Sequence, residues 1–329
     1  VQTCALRSGD TMKTAFLFPG QGSQKVGMVH DLYENFDSVK HLVEEADDTL
    51  GFSISKMMFE GPDSELMKTE FTQPAILTAS VAVWQVLKEK GVEPAVAAGH
   101  SLGEYSALVA AGAISFADAV KTVHLRGRFM QEAVPLGEGG MAAIIGLTPD
   151  KIVEVCQSVS TDDAPVQAVN FNCPGQVVIA GATKGVEKAC EALKAAGARR
   201  AIMLHVSAPF HSTLMEPAAV RLKEVLDTIE IHDTKIPVVA NVNAKEETKA
   251  DEIRQNLVDQ AAHPVHWEES IRHMIAGGVD YTVEAGPGTV LSGFMRKIDR
   301  KIPSVHAEDT ATVEEVVKEI GRASCRERV

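Results

Sequence analysis

Apolar positions follow two rhythms along this chain. Short, nearly continuous apolar runs at 15–18, 92–98, 238–241 and 281–284 predict strands buried on both faces, as in a parallel sheet. Between them, apolar residues recur every three or four positions. This predicts helices over 28–50, 74–90, 104–113, 118–134, 214–229, 253–260 and 268–276. Pro74 suits a first helical turn, and Pro135 with Gly137, Gly139 and Gly140 closes the helix over 118–134. The middle of the chain changes rhythm. A strand at 141–147, a helix at 149–159, strands at 166–171 and 176–180, a helix at 184–196 and a strand at 200–206 give the order β-α-β-β-α-β. That is a ferredoxin-like unit inserted into a larger α/β domain. The expected division is 12–137 with 207–320 as the main domain and 138–206 as the insertion.

Composition narrows the class. The 329 residues suffice for one large domain or two smaller ones, and 45% apolar with 23% charged residues is ordinary for a globular protein. No apolar stretch approaches a membrane span, so no membrane association is expected. The five cysteines, at 4, 156, 173, 190 and 325, form no C-x-x-C pair, which argues against zinc and a disulfide framework and fits a reducing, cytoplasmic setting. His263 and His266 flank Pro264 without a metal-ligand pattern, so no metal is expected. A net charge of −13 argues against nucleic-acid binding. Met12-Lys13-Thr14-Ala15 reads as a start, so 1–11 and 321–329 are expected to be non-native or disordered extensions.

The chemistry concentrates at Gly99-His100-Ser101-Leu102-Gly103, a Gly-x-Ser-x-Gly pattern between a predicted strand and a predicted helix. A serine there sits on a tight turn with its hydroxyl exposed and the next N–H free for an oxyanion, and a side chain at either glycine would crowd the turn. The ordinary alternative is a glycine-rich turn with no chemistry. A serine hydroxyl needs a base within hydrogen-bond reach. The residues alone do not choose among eleven histidines. His100 leaves the elbow in another direction, and His211, on a loop returning from the inserted unit, is the better placed.

Eight motifs in order resemble the malonyl-CoA:acyl carrier protein transacylase family over nearly all of residues 13–310. They are Phe18-Pro19-Gly20-Gln21-Gly22-Ser23-Gln24, Thr72-Gln73-Pro74-Ala75, the elbow with Glu104-Tyr105, Arg126-Gly127-Arg128-Phe129-Met130-Gln131, and Asn170-Phe171-Asn172 with Pro174-Gly175-Gln176. The loop around His211, Pro264-Val265-His266-Trp267 and Glu284-Ala285-Gly286-Pro287-Gly288 complete the set. The resemblance implies an α/β-hydrolase-like core with a parallel sheet plus the inserted ferredoxin-like subdomain. It implies Ser101 as acylated nucleophile, His211 as base, the main-chain carbonyl of Gln260 as its orienter, and backbone N–H groups of Leu102 and Gln21 as oxyanion donors. Arg126 matches the arginine that binds the malonyl carboxylate, although by itself it reads as a surface arginine on an amphipathic helix, as Arg128 does. Gln73 and Asn172 map near the site, and Phe210 would crowd an α-methyl group.

The implied reaction is ping-pong transfer of malonyl from malonyl-CoA to the phosphopantetheine thiol of an acyl carrier protein for fatty-acid synthesis. No cofactor of its own is implied, and a monomer is expected. The carrier protein is acidic, so Arg199-Arg200 or the group Arg296, Lys297, Arg300 and Lys301 is the expected docking patch. The same elbow would serve a discrete acyltransferase of a polyketide synthase. A serine esterase or thioesterase would instead need a triad acid, for which Asp118 or Asp150 would have to serve.

Overall fold

The computed structural model describes residues 12–326, with side chains described through 321. The expectation for 1–11 and for 327–329 lies outside the described residues. The first part of the chain forms β1 (Thr14–Phe18), α1 (His30–Asn35), α2 (Asp37–Leu50), α3 (Ile54–Glu60), α4 (Asp63–Leu66), α5 (Thr69–Glu89), β2 (Val96–Gly99), α6 (Gly103–Ala110) and α7 (Phe116–Glu132). The middle part forms β3 (Gly139–Ile145), α8 (Pro149–Val159), β4 (Val166–Cys173), β5 (Gln176–Ala182), α9 (Thr183–Ala195) and β6 (Arg200–Met203). The last part forms α10 (Glu216–Leu226), β7 (Val238–Val239), β8 (Glu246–Glu247), α11 (Ala250–Gln260), α12 (Trp267–Ala276), β9 (Tyr281–Ala285), α13 (Val290–Ile298), β10 (Ser304–Ala307) and α14 (Thr310–Arg326).

The first and last parts share a six-stranded sheet in the order β10-β9-β1-β2-β7-β8, parallel except at the β7–β8 edge. β1 and β2 are buried at every position, as their unbroken apolar runs require. Parallel strands end on the same side of a sheet, and the crevice beyond those ends is where α/β folds place ligands. Here the loops after β1, β2 and β7 bring Gln21, Ser101 and Asn241 to that edge.

The middle part is a second, antiparallel sheet in the order β4-β5-β3-β6, with α8 and α9 on one face. Its strands alternate. Val177 and Ile179 of β5, with Ala142 and Ile144 of β3, point into the core shared with α8 and α9. Val178 and Ala180, with Met141 and Ala143, point the other way, toward the first sheet's core. The period-two pleat thus gives this sheet one face for its own stability and one that walls the crevice.

Several sequence boundaries move. The helix expected from Pro74 begins at Thr69, so Pro74 lies inside α5. Proline cannot donate to Glu70 O, and the His124 ring Nδ1 takes that carbonyl at 2.7 Å instead. The stretch 28–50 is divided into α1 and α2 by Phe36, which is extended. The strand expected over 92–98 shrinks to β2, because the Val92 N–H closes the end of α5 onto Leu87 O. The final helix continues through Gly321 to Arg326, past the boundary set at 321, since alanine and arginine are good helix formers and one glycine costs only about 1 kcal/mol.

Candidate active site

The elbow needs its glycines. A Cβ on Gly99 would lie 1.8 Å from Gly103 O, and one on Gly103 would lie 2.1 Å from Phe18 O. Ser101 itself has φ 52°. Among the described residues four non-glycine residues have positive φ, and His211, at 63°, is one of the other three. Left-handed backbone costs a β-carbon residue free energy, so its appearance at both positions marks a site held by its surroundings.

Those two side chains meet. Ser101 Oγ lies 2.7 Å from His211 Nε2, and His211 Nδ1 lies 2.8 Å from the Gln260 carbonyl. A carbonyl only accepts, so Nδ1 carries the proton and Nε2 offers its lone pair to the serine hydroxyl. Burial, reinforced by the Arg126 charge, lowers the His211 pKa to about 3, which keeps the ring neutral. Neither Asp118 nor Asp150 takes the third position: Asp118 sits in the first turn of α7, and Asp150 is exposed in the first turn of α8. His100 turns away, as expected, with Nε2 2.8 Å from Asn172 Oδ1 and its ring against Trp267.

Arg126 is not the surface residue its helix pattern suggests. It is 1% exposed. Nη1 donates to Gln73 Oε1 at 2.8 Å, and Nη2 donates to Gln260 Oε1 at 2.9 Å and to Ser101 Oγ at 3.3 Å. Its Nε–H is buried without a partner. A buried donor left unpaired is costly, and the guanidinium that carries it reaches the nucleophile through Nη2. Arg128, two residues on, is exposed and paired with Glu132.

These residues border a cavity of about 150 Å³, whose walls include Gln21, Leu102, Met130, Met141, Phe210 and His211. An open groove of about 770 Å³ shares Gln21, Met67 and Leu204 with it. A third space, of about 230 Å³, lies beyond His100, between Asn172 and Phe294. The structure therefore brings together Ser101, His211, Gln260, Arg126, Gln73, Gln21, Leu102 and Phe210. Asn172 belongs to the adjoining space instead, because His100 leaves the elbow on that side and takes Asn172 as its acceptor.

Sequence reasoning missed the layer beneath. The Asn241 amide spans the elbow, with Oδ1 accepting from Ser101 N–H at 2.7 Å and Nδ2 donating to Gly99 O at 2.7 Å. Glu104 Oε2 accepts from Asn241 N–H and from Gln260 Nε2, both at 3.0 Å. One available signal was Glu104 itself, a carboxylate on a helix apolar on every side.

Comparison with known proteins agrees with this geometry. The family model described as "Acyl transferase domain" matches residues 15–320. A malonyl CoA-acyl carrier protein transacylase of Bacillus subtilis is 52% identical over 302 residues, covering 92% of this chain and 95% of that protein. The crystal structure of an acyl carrier protein S-malonyltransferase from Vibrio cholerae superposes with a TM-score of 0.90 at 47% identity, covering 92% of this chain and 99% of that one. A type II polyketide-synthase acyl carrier protein in complex with its malonyl-transacylase matches with a TM-score of 0.91 at 47% identity, covering 93% and 99%. With its elbow, its serine–histidine pair and its buried arginine on the matching fold, this chain belongs to the acyl transferase domain family.

Proposed function

We infer that this chain transfers malonyl from malonyl-CoA to the phosphopantetheine thiol of an acyl carrier protein, through a malonyl ester on Ser101, and so supplies fatty-acid synthesis. The observation that carries the acyl choice is Arg126, a buried guanidinium whose Nη2 lies 3.3 Å from Ser101 Oγ and whose Nε–H has no partner. Malonyl carries a carboxylate that acetyl lacks, and a guanidinium can hold it through two parallel hydrogen bonds.

In the first half-reaction Ser101 Oγ attacks the thioester carbonyl and its proton passes to His211 Nε2. The oxyanion is held by the main-chain N–H groups of Leu102, at the start of α6, and of Gln21, on the facing loop. The tetrahedral intermediate collapses, the C–S bond breaks, and His211 returns the proton to the CoA sulfur. In the second half the carrier-protein thiol attacks the serine ester, His211 takes the thiol proton and then delivers it to Ser101 Oγ. A neutral carbonyl orients His211 in both halves, as suits a ring that must both accept and donate. The malonyl carboxylate also offsets the Arg126 charge that opposes imidazolium formation, so the correct substrate makes its own base easier to protonate.

The chemistry asks for no resident cofactor. Ser101, His211, Gln260 and Arg126 already meet within a single chain, and a monomer is the proposed working unit. No described helix is long and apolar enough to cross a membrane, and the buried free thiols of Cys156, Cys173 and Cys190 fit the cytoplasm. Phe210, at the cavity wall, disfavours an α-branched acyl group. The test is intact-protein mass spectrometry after brief exposure to malonyl-CoA. The parent is expected to gain one malonyl group, Ser101→Ala none, and addition of carrier protein is expected to remove it. CoA release without an adduct on the parent would overturn the transferase reading in favour of hydrolysis.

A further inference from the structure

Beneath the elbow lie two carboxyls in a setting that does not suit two anions. Glu104, on α6, and Glu247, on β8, are both fully buried. Each has one oxygen in use: Glu104 Oε2 accepts from Asn241 N–H and Gln260 Nε2, and Glu247 Oε2 accepts from Asn256 Nδ2 at 2.7 Å. Each has one left over, since Oε1 of both residues finds no donor. The two carboxyls are within hydrogen-bonding reach of one another. Two adjacent buried anions would repel, and two neutral acids would leave the Arg126 guanidinium with no nearby counter-charge. A single proton between them satisfies both oxygens and keeps one negative charge.

We propose that Glu247 holds this proton and donates it in a hydrogen bond to Glu104, and that the single negative charge on Glu104 is the positioning device for the acyl site. Glu104 is the better anion of the two, because it accepts two N–H donors and faces Arg126, whereas Glu247 faces Glu104 and Glu252. Tyr105 is the remaining titratable neighbour, and burial keeps its phenol protonated. Burial raises both carboxyls, and the Glu104 charge raises Glu247 further.

The consequence for the site runs through Gln260. A carboxylate can only accept, so Glu104 forces the Gln260 amide to present Nε2 downward, to Glu104 and to Ser101 O at 2.9 Å. The amide oxygen is thereby turned to Arg126 Nη2. Were Glu104 neutral, it could donate, and the amide could flip to set an NH₂ group against the guanidinium. The same residue supplies the carbonyl that orients His211, and Glu104 also holds Asn241, which spans the elbow. One proton on Glu247 thus fixes the orientation of the arginine, the histidine and the nucleophile turn together. This role rests on the acyl-transfer reading, but the proton's location does not.

The experiment pairs a spectroscopic readout with a rescue. Infrared difference spectra at pH 8.5, above the range in which Glu284 holds its proton, are recorded for the parent and Glu247→Gln, whose amide can donate to Glu104 in the proton's place. The parent is expected to show the carbonyl stretch of a buried protonated carboxylic acid, and Glu247→Gln is expected to lack it. Malonyl loading of Glu247→Gln should stay within about threefold of the parent, while Glu247→Ala, with no donor, and Glu104→Gln, with no charge, should each lose on the order of tenfold or more in kcat/KM. Absence of the band in the parent, or its survival in Glu247→Gln, would overturn the shared proton. A folded Glu247→Gln as impaired as Glu247→Ala would overturn the positioning role. The infrared result needs no acyl substrate, so a failure of the malonyl reading shows separately, as a parent that does not load.

Discussion

The two sheets of this protein are built on opposite economies of polarity. Around the parallel sheet the interior holds Glu104, Arg126, His211, Asn241, Glu247 and Gln260, all nearly inaccessible to water. Around the antiparallel sheet the core is Ile144, Ile152, Val155, Val177, Ile179, Leu193 and similar side chains. Of the buried polar side chains among the described residues, Asn172 alone lies between 139 and 206. Buried charges cost stability unless each is paired, so their concentration marks the place where function has overridden packing. The second sheet carries the complementary task. Its helix-facing side supplies ordinary hydrophobic stability, and its other side, through Met141, Ala143 and Val178, gives the crevice a firm wall.

This contrast can be broken first by a core truncation. Ile179→Ala, at a fully buried position facing α8 and α9, should cost about 2–5 kcal/mol of stability. Chemical denaturation measures the loss, and malonyl loading per folded molecule should be unchanged; a large loss of loading in the folded variant would mean that the wall takes part in chemistry.

The parallel-sheet side should show the reverse signature, a dependence on pH. Burial raises the Glu284 carboxyl, which accepts the Leu291 and Ser292 N–H groups at the start of α13, to about 7. Between about pH 4.5 and 7 the folded protein therefore holds a proton that the unfolded chain releases. Stability is fully present below the lower value and falls as pH rises, by on the order of 2–3 kcal/mol in total. Denaturation curves across this window should flatten in Glu284→Gln, and an unchanged slope would assign the effect to another group.

The smallest effect concerns the rim. Arg296 and Lys297, in the last turn of α13, are exposed on a helix whose other end borders the third cavity. We propose that they meet an acidic carrier protein. Charge reversal at both should raise KM for the carrier protein up to about tenfold and leave malonyl-CoA kinetics alone. An unaltered carrier KM would move docking elsewhere, with Arg199 and Arg200 next.

The same contrast explains what the sequence made legible. The antiparallel unit could be read almost element by element, because alternation and helical periodicity are local signals and nothing functional interferes with them. The elbow at Ser101 was equally local, a spacing of glycines with a steric cause. Local patterns alone did not place His211, Gln260 and Arg126. Arg126 in particular reads as a surface arginine until α5 and α11 cover it. Asn241 and Glu247 had no signature, and Glu104 showed only as a carboxylate on an apolar helix: their bonds join residues from nine to 156 positions apart, and the adjacency of β2 and β7 brings them together. Pro74 misled in the same way, since the carbonyl it frees is satisfied by His124, from another helix.

The central claim is that a buried guanidinium beside the nucleophile selects the acyl group. It is tested most directly by single-turnover acylation of Ser101 with malonyl-CoA and with acetyl-CoA, in the parent and in Arg126→Ala. The account predicts a strong malonyl preference in the parent and a loss of about 10²–10³ in malonyl acylation in the variant, with acetyl acylation far less affected, so that the preference collapses. Equal losses for the two acyl groups would contradict it and reduce Arg126 to a structural support.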